Sequence, residues 1–368
     1  MLFLPLRNIE FLSIKRTLAI MAIGLLVFSV YIYFSVDATA LLSFLSGVNE
    51  IQFIVFYSLA LGLVVLSVFF WGMAWRSILQ KLSVTISWRK MFLIYWAGYF
   101  VDLAVPLERV AGDIVRIYLL KKQTKAYYAT LISSTIVDRL IAYFAVIAGL
   151  IFATIVLVFY NAPTFVLVFF FIIFAFSLVY FIVLLYLAFS QQAAENIARF
   201  YIRTRRFFLR NKRESKNLEA KTMASLGNFY NGFAPFRHDL GAFKKPFLYH
   251  ALAYFIRIFV YFLIFYSLGL VNLPIAFYVT VYFLGSAVQD AVGSFSVGSL
   301  DILLVALFGV FGIEAGAGSI GALLVRSADF WFPLAVALAL IQFMGIRNIV
   351  MRAPKKMLSK QKRGGKRA

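Results

Sequence analysis

The chain has 368 residues, of which 63% are hydrophobic and 14% charged, with a mean hydropathy of +0.90 and a formal net charge of +21. Soluble domains are about 45–50% apolar and about 25% charged, so this composition excludes an ordinary soluble protein and describes a polytopic membrane protein forming a single membrane domain over 1–368. The positive charge is not a nucleic-acid signature: twelve Lys/Arg fall in 199–245 and nine in 347–367, the pattern of cytoplasmic segments drawn to anionic lipid headgroups.

There is no cysteine, which excludes disulfides, thiolate metal sites and cysteine nucleophiles. The two histidines, His238 and His250, have no third ligand nearby. Neither a metal nor a cofactor is therefore expected.

A hydrocarbon core of about 30 Å needs about 20 apolar residues per helix. The first such run, 17–36, follows Arg7, Lys15 and Arg16 and precedes Ala38-Thr39-Ala40. It is longer than the roughly 7–15 residues of a signal-peptide core, so it reads as a retained anchor. Further runs follow at 51–75, 88–107, 127–160 and 163–190, closing a first half over 17–190. A basic segment, 191–245, separates this from a second half, 247–346, with runs at 247–270, 274–297, 318–346 and a shorter one at 300–313. Within 197–210, Ile197, Phe200, Tyr201, Phe207 and Phe208 oppose Arg199, Arg203, Arg206 and Arg210, predicting an amphipathic helix in the headgroup layer. The tail 347–368 is basic.

Connections 37–50, 161–163, 271–274 and 312–317 lack Lys and Arg, whereas 76–90, 191–245 and both termini are basic. The bias places both termini in the cytoplasm of a multi-pass cell-membrane protein. It also places both ends of 88–125 on the cytoplasmic side and both ends of 274–313 outside. The fold class that satisfies every connection is all-α, with about six full transmembrane helices plus two oppositely oriented re-entrant helical hairpins.

The hairpins resemble each other. The first has Gly98, Asp102, Pro106, Gly112-Asp113 and, 26 residues later, Arg139; the second has Gly285, Asp290, Gly293, Gly298, Asp301 and, 25 residues later, Arg326. This is the pattern of an inverted repeat. Pro106, Gly112, Gly293 and Gly298 are the expected breaks, where unpaired backbone groups must face protein or a wet cavity.

Ionisable residues within a membrane each cost roughly 2.5–3.5 kcal/mol on insertion scales and ask for a partner or a function. The bland reading is of buried salt bridges, with Asp138–Arg139 and Arg326–Asp329 as pairs. The functional reading is a lipid-headgroup groove formed by Arg109, Asp113, Arg116, Asp138, Arg139, Asp301 and Arg326, because the guanidinium fork suits phosphate oxygens. Glu108 belongs to this groove or to its cytoplasmic rim. Arg257 reads as snorkelling to the cytoplasmic face, and Trp71, Trp75, Trp88 and Trp96 as an interfacial aromatic belt.

The stretches "VPLERVAGDIVRIYLLKK" and "ATLISSTIVDRLIAY", with "SVGSLDILLVALFGVFGI" and "ALLVRSADFWFPL", resemble the membrane region of lysylphosphatidylglycerol synthetases and their stand-alone flippase-like relatives. The shared pattern is Pro106, Gly112-Asp113, Arg116 and Asp138-Arg139, then Gly298, Asp301 and Arg326. Asp301 stands where Glu is usual, and Gly293-Ser294-Phe295 replaces the usual Pro-Gly-Gly. The resemblance implies movement of an anionic, aminoacylated or lipid-linked-sugar phospholipid between leaflets, with membrane phospholipid or lipid-linked sugar as partner and a homo-oligomer as a further option. No nucleotide-binding motif and no soluble aminoacyl-transfer domain occur, so no enzyme activity is expected. The alternatives are a non-transporting membrane partner of a cell-envelope glycosyltransferase, or a membrane-embedded lipid-modifying transferase using Asp113 or Asp301 as base.

Overall fold

The computed structural model describes Leu26, Val30, Phe44, residues 46–104, 110–190, scattered positions between 192 and 230, 232–292 and 298–343. Among these every regular element is helical. Five helices are long and apolar enough to cross a membrane: Glu50–Lys81, Tyr128–Phe159, Thr164–Phe189, Gly241–Ser267 and Ala315–Gln342. They match five of the six expected spans; the sixth, 17–36, lies outside the described residues apart from Leu26 and Val30.

In chain order the elements are α1 (Glu50–Lys81), α2 (Trp88–Ala104), α3 (Val110–Gln123), α4 (Tyr128–Phe159), α5 (Thr164–Phe189), α6 (Lys244–Ser267), α7 (Ile275–Val292), α8 (Ser299–Val310), α9 (Ala315–Arg326) and α10 (Phe332–Phe343). A π-helical turn, Ser327–Trp331, joins α9 to α10. Pro333 lies just beyond it and has no N–H to donate to the carbonyl of Asp329, so the i→i−4 ladder is interrupted there. The Phe332 N–H instead reaches Ser327 O, five residues back.

Helix directions follow from the contacts. The Gln52 side chain donates to the Tyr266 carbonyl and Trp71 meets the ring of Tyr254, so α1 and α6 run antiparallel. His250 meets Asp138 and Tyr254 donates to Ala142 O, so α4 and α6 run parallel. One end of the bundle therefore holds the end of α1 and the starts of α4 and α6; the other holds the start of α1 and the ends of α4 and α6. Short connections, 82–87 and 124–127, tie both ends of the α2–α3 pair to the first of these. Connections 268–274 and 311–314 tie both ends of the α7–α8 pair to the second.

The outer surface of α5 is apolar throughout, with Phe165, Phe176 and Val179 exposed, as befits a helix facing lipid. The inner cluster is aromatic: Phe265 packs edge-on against Phe277 and Phe308, the three ring centroids lying within 4.8–5.6 Å of one another and binding α6, α7 and α8. Of the four tryptophans assigned to an interfacial belt, only Trp88 is exposed. Trp75 is buried and donates to Ser134 Oγ at 3.0 Å, Trp71 faces Arg257, and Trp96 packs on Tyr99. The belt reading is corrected for these three, which lie in one buried cluster: Trp71 meets Tyr99 of α2 and Tyr254 of α6, and Trp75 meets Ser134 of α4. The amphipathic segment 197–210 lies outside the described residues, apart from Arg199, which pairs with Glu195.

Candidate functional site

The first charged cluster sits where α2, α3 and α4 meet. Antiparallel packing of α2 on α3 brings Asp102 to the N-terminus of α3, where Oδ1 accepts the Gly112 N–H at 2.9 Å. That N–H belongs to the first described turn of α3, so a carboxylate is well placed there. A Cβ built on Gly112 would lie 2.2 Å from Asp102 Oδ1: the glycine is required by this close approach.

From Asp102 the charges alternate in sign across three helices. Arg116 Nη2 meets Asp102 Oδ2 at 2.6 Å, Arg116 Nη1 meets Asp113 Oδ1 at 2.8 Å, and Arg139 Nη2 meets Asp113 Oδ2 at 2.8 Å. The Arg116 guanidinium also lies over the Tyr95 ring, 4.2 Å from its centroid, a cation–π contact strengthened by burial. Beside this chain, Asp138 faces His250 at 3.0 Å. Asp138 and Arg139 thus pair with α6 and α3, not with each other, because adjacent helical positions point about 100° apart.

The second cluster repeats the arrangement on α8 and α9. Gly298, at φ +87°, makes the break before α8, a left-handed conformation that favours glycine. Asp301 Oδ2 reaches back to accept the Gly298 N–H at 2.8 Å, and Asp301 Oδ1 receives Arg326 Nε at 2.9 Å. Both side chains are almost fully buried, at 2% and 3% exposure. In each half, then, an acid near the start of a short helix receives an arginine from the following helix, and a carboxylate takes up a glycine N–H at that helix start. Arg326 does not pair with Asp329, because the π turn redirects Asp329 inward.

Between the clusters lies a third. Arg257 Nη1 forms an ion pair with Asp329 Oδ1 at 3.0 Å, Arg257 Nη2 reaches Tyr99 OH at 3.3 Å, and Tyr261 OH donates to Asp329 Oδ2 at 2.6 Å. Arg257 is 4% exposed, so it does not snorkel; its guanidinium lies over Trp71 on α1. A cavity opens here between α1, α2, α6, α7 and the π turn, lined by Asp102, Arg257, Gln289, Asp290 and Asp329 among aromatic walls of Trp71, Tyr99 and Tyr282. Its free space of about 30 Å³ suits one or two waters and is far below the roughly 300–1,000 Å³ of a ligand pocket.

Asp113, Arg116, Asp138, Arg139, Asp301 and Arg326 are thus all placed in buried pairs, though in two clusters flanking the central one. Arg109, Glu108, Pro106 and Gly293 lie outside the described residues. The residues missed are Tyr99 and Tyr261 of the central cluster and His250 beside Asp138, while Arg257 and Asp329 were expected to snorkel and to pair with Arg326, respectively. Asp102 and Asp290 carried a usable signal, since each follows a glycine, Gly98 or Gly285, by about one helical turn in an otherwise apolar run. Among the described residues no group of acids, histidines and cysteines could hold a metal ion.

No curated protein matches the chain. The model of one family, the lysylphosphatidylglycerol synthase TM region, matches residues 21–337. That stretch contains every cluster described above, and the chain therefore belongs to this family as a multi-pass membrane protein.

Proposed function

We propose that the protein is a non-enzymatic lipid translocase of the cell membrane. It carries an anionic, aminoacylated or lipid-linked-sugar phospholipid between leaflets through the polar centre. In this reading α2–α3 and α7–α8 are re-entrant hairpins entering from opposite faces, related as an inverted repeat, and both termini are cytoplasmic. One length supports the hairpins. At about 1.5 Å per residue, α8, with 12 residues, reaches roughly 18 Å, short of a hydrocarbon core of about 30 Å. The two pairs also begin and end at opposite ends of the bundle.

The observation that carries the reading is the row of buried charge pairs on both sides of a central polar cavity. Such groups are costly to bury, and replacing them with apolar residues is often neutral or stabilising. Their presence is explained if the pairs open to receive a headgroup. Arg116 Nε and Arg257 Nε are buried donors without an acceptor among the described residues, a need that an incoming phosphate oxygen meets. The tight cavity fits an occluded state, with opening left to relative movement of the hairpins.

Reconstitution in liposomes with fluorescent anionic, aminoacylated and prenyl-phosphate lipids tests this. The expected result is faster crossing of at least one of them, lost in Arg139→Ala. Crossing no faster than in protein-free liposomes for all three removes the translocase reading. Full rescue of a deletion phenotype by Arg139→Ala would favour the scaffold alternative, which has no use for charges at the membrane centre.

A further inference from the structure

A second cavity lies away from the charged clusters. It is a lateral groove of about 380 Å³ between α4, α5 and the start of α6, within the size range of ligand pockets. Its walls are apolar, with Ile141 and Phe144 from α4, Phe181 and Leu185 from α5, and Phe247 from α6. At its mouth stands Lys244, the one charged lining residue among the described residues, followed by exposed Lys245. The nearest acid in sequence, Asp239, is taken up by Lys81 at 3.5 Å.

We infer that this groove binds an acyl chain of an anionic phospholipid whose phosphate is held at the mouth by Lys244 and Lys245. Three observations converge on that occupant. The groove opens from helices that cross the membrane, so hydrocarbon chains are what surrounds it. Its length fits: the offset of 112 between contacting α4 and α6 residues puts Lys244 level with Ile132, and Phe144 lies 12 residues deeper. At about 1.5 Å per residue this is roughly 18 Å, slightly more than one leaflet of a hydrocarbon core of about 30 Å. The charge is complementary, since a lysine at the end of an apolar slot marks where a phosphate would rest.

The inner wall of the groove adjoins one buried charge pair. Ile141 lies one turn from Asp138 on α4, and Phe247 one turn from His250 on α6, so the Asp138–His250 pair stands just behind its inner wall. A lipid seated there keeps its headgroup at the mouth and runs its acyl chain past this pair. That the lipid then moves inward rests on the translocase reading; its binding does not.

The absence of native cysteine makes the test clean. Leu185→Cys, labelled with a fluorophore, is reconstituted in phosphatidylcholine bilayers containing either brominated phosphatidylglycerol or brominated phosphatidylcholine. Phe171→Cys, on the exposed face of α5, reports bulk lipid. We expect several-fold stronger quenching by brominated phosphatidylglycerol at Leu185→Cys, no preference at Phe171→Cys, and loss of the preference when Lys244→Ala and Lys245→Ala are added. Both lysines are exposed, so that variant should keep the melting temperature of the parent.

Equal quenching by the two lipids at Leu185→Cys, or a preference that survives loss of both lysines, overturns the inference. So does the absence of quenching by either lipid, which would mean that a segment of this chain or a second copy fills the groove. A preserved preference in a protein that moves no lipid leaves the groove standing and removes only the transport reading.

Discussion

The buried pair Asp301–Arg326 offers the sharpest test of whether the charge clusters are structural or functional. Asp301→Ala removes a carboxylate from a site where Arg326 is 3% exposed and Asp301 is its ion-pair partner at 2.9 Å. Breaking a buried pair from one side costs about 3–5 kcal/mol, because the remaining charge is left uncompensated. The Gly298 N–H also loses its acceptor, adding about 1 kcal/mol, as for the loss of a helix cap. The double variant Asp301→Leu/Arg326→Met removes both charges at similar volume, so most of the penalty should vanish. Reversible unfolding in mixed micelles, read by circular dichroism, should show the single variant less stable by at least about 3 kcal/mol and the double variant within about 1–2 kcal/mol of the parent. A single variant costing less than about 1 kcal/mol, or a double variant as unstable as the sum of the single ones, would refute the pairing argument. The lipid-crossing assay then separates the roles: the double variant should fold and move no lipid. Transport at the parental rate would show that the pair only holds α8 against α9.

The glycine at the start of α3 makes a second prediction. Gly112→Ala places a Cβ 2.2 Å from Asp102 Oδ1 and should destabilise by about 1–3 kcal/mol through overpacking. Gly62→Ala, where a Cβ meets nothing within 4 Å, should be neutral or stabilise α1 by up to about 1 kcal/mol, so thermal melts of the two should move in different directions. Tyr261→Phe removes the 2.6 Å hydrogen bond to Asp329. It should cost about 1.5–3 kcal/mol, the usual value for a bond to a charged acceptor, and micelle unfolding indistinguishable from the parent would count against the central cluster as drawn.

Much of the fold was legible in the sequence because the membrane imposes a coarse rule. Apolar runs must be helical, since lipid cannot satisfy backbone groups, and their limits are set by polar or breaking residues that can be read directly. The run at 127–160 appears as α4 over Tyr128–Phe159, and 163–190 as α5 over Thr164–Phe189. The similar spacing from Asp113 to Arg139 and from Asp301 to Arg326 was legible too, but the pairs expected were Asp138–Arg139 and Arg326–Asp329; the structure joins Asp113 to Arg139 and Asp301 to Arg326, because one intervening turn and helix of similar length return the chain to the same depth.

Partner choice was not legible where several helices converge. Arg257 was expected to snorkel, yet it lies about midway along α6, and the packing of α1, α2 and the π turn around α6 surrounds it with Trp71, Tyr99 and Asp329. Asp329 is three residues from Arg326, a spacing that in a regular helix would favour pairing, yet the π turn ahead of Pro333 turns it toward Arg257. The sequence by itself determined which residues are too polar for lipid and roughly how deep each lies, since transfer energetics act on residues one at a time. The tertiary structure decided which charge meets which, because pairing depends on distances of about 3 Å between helices far apart in the chain. The same packing left a polar cavity at the centre and an apolar groove with a lysine at its mouth on the flank.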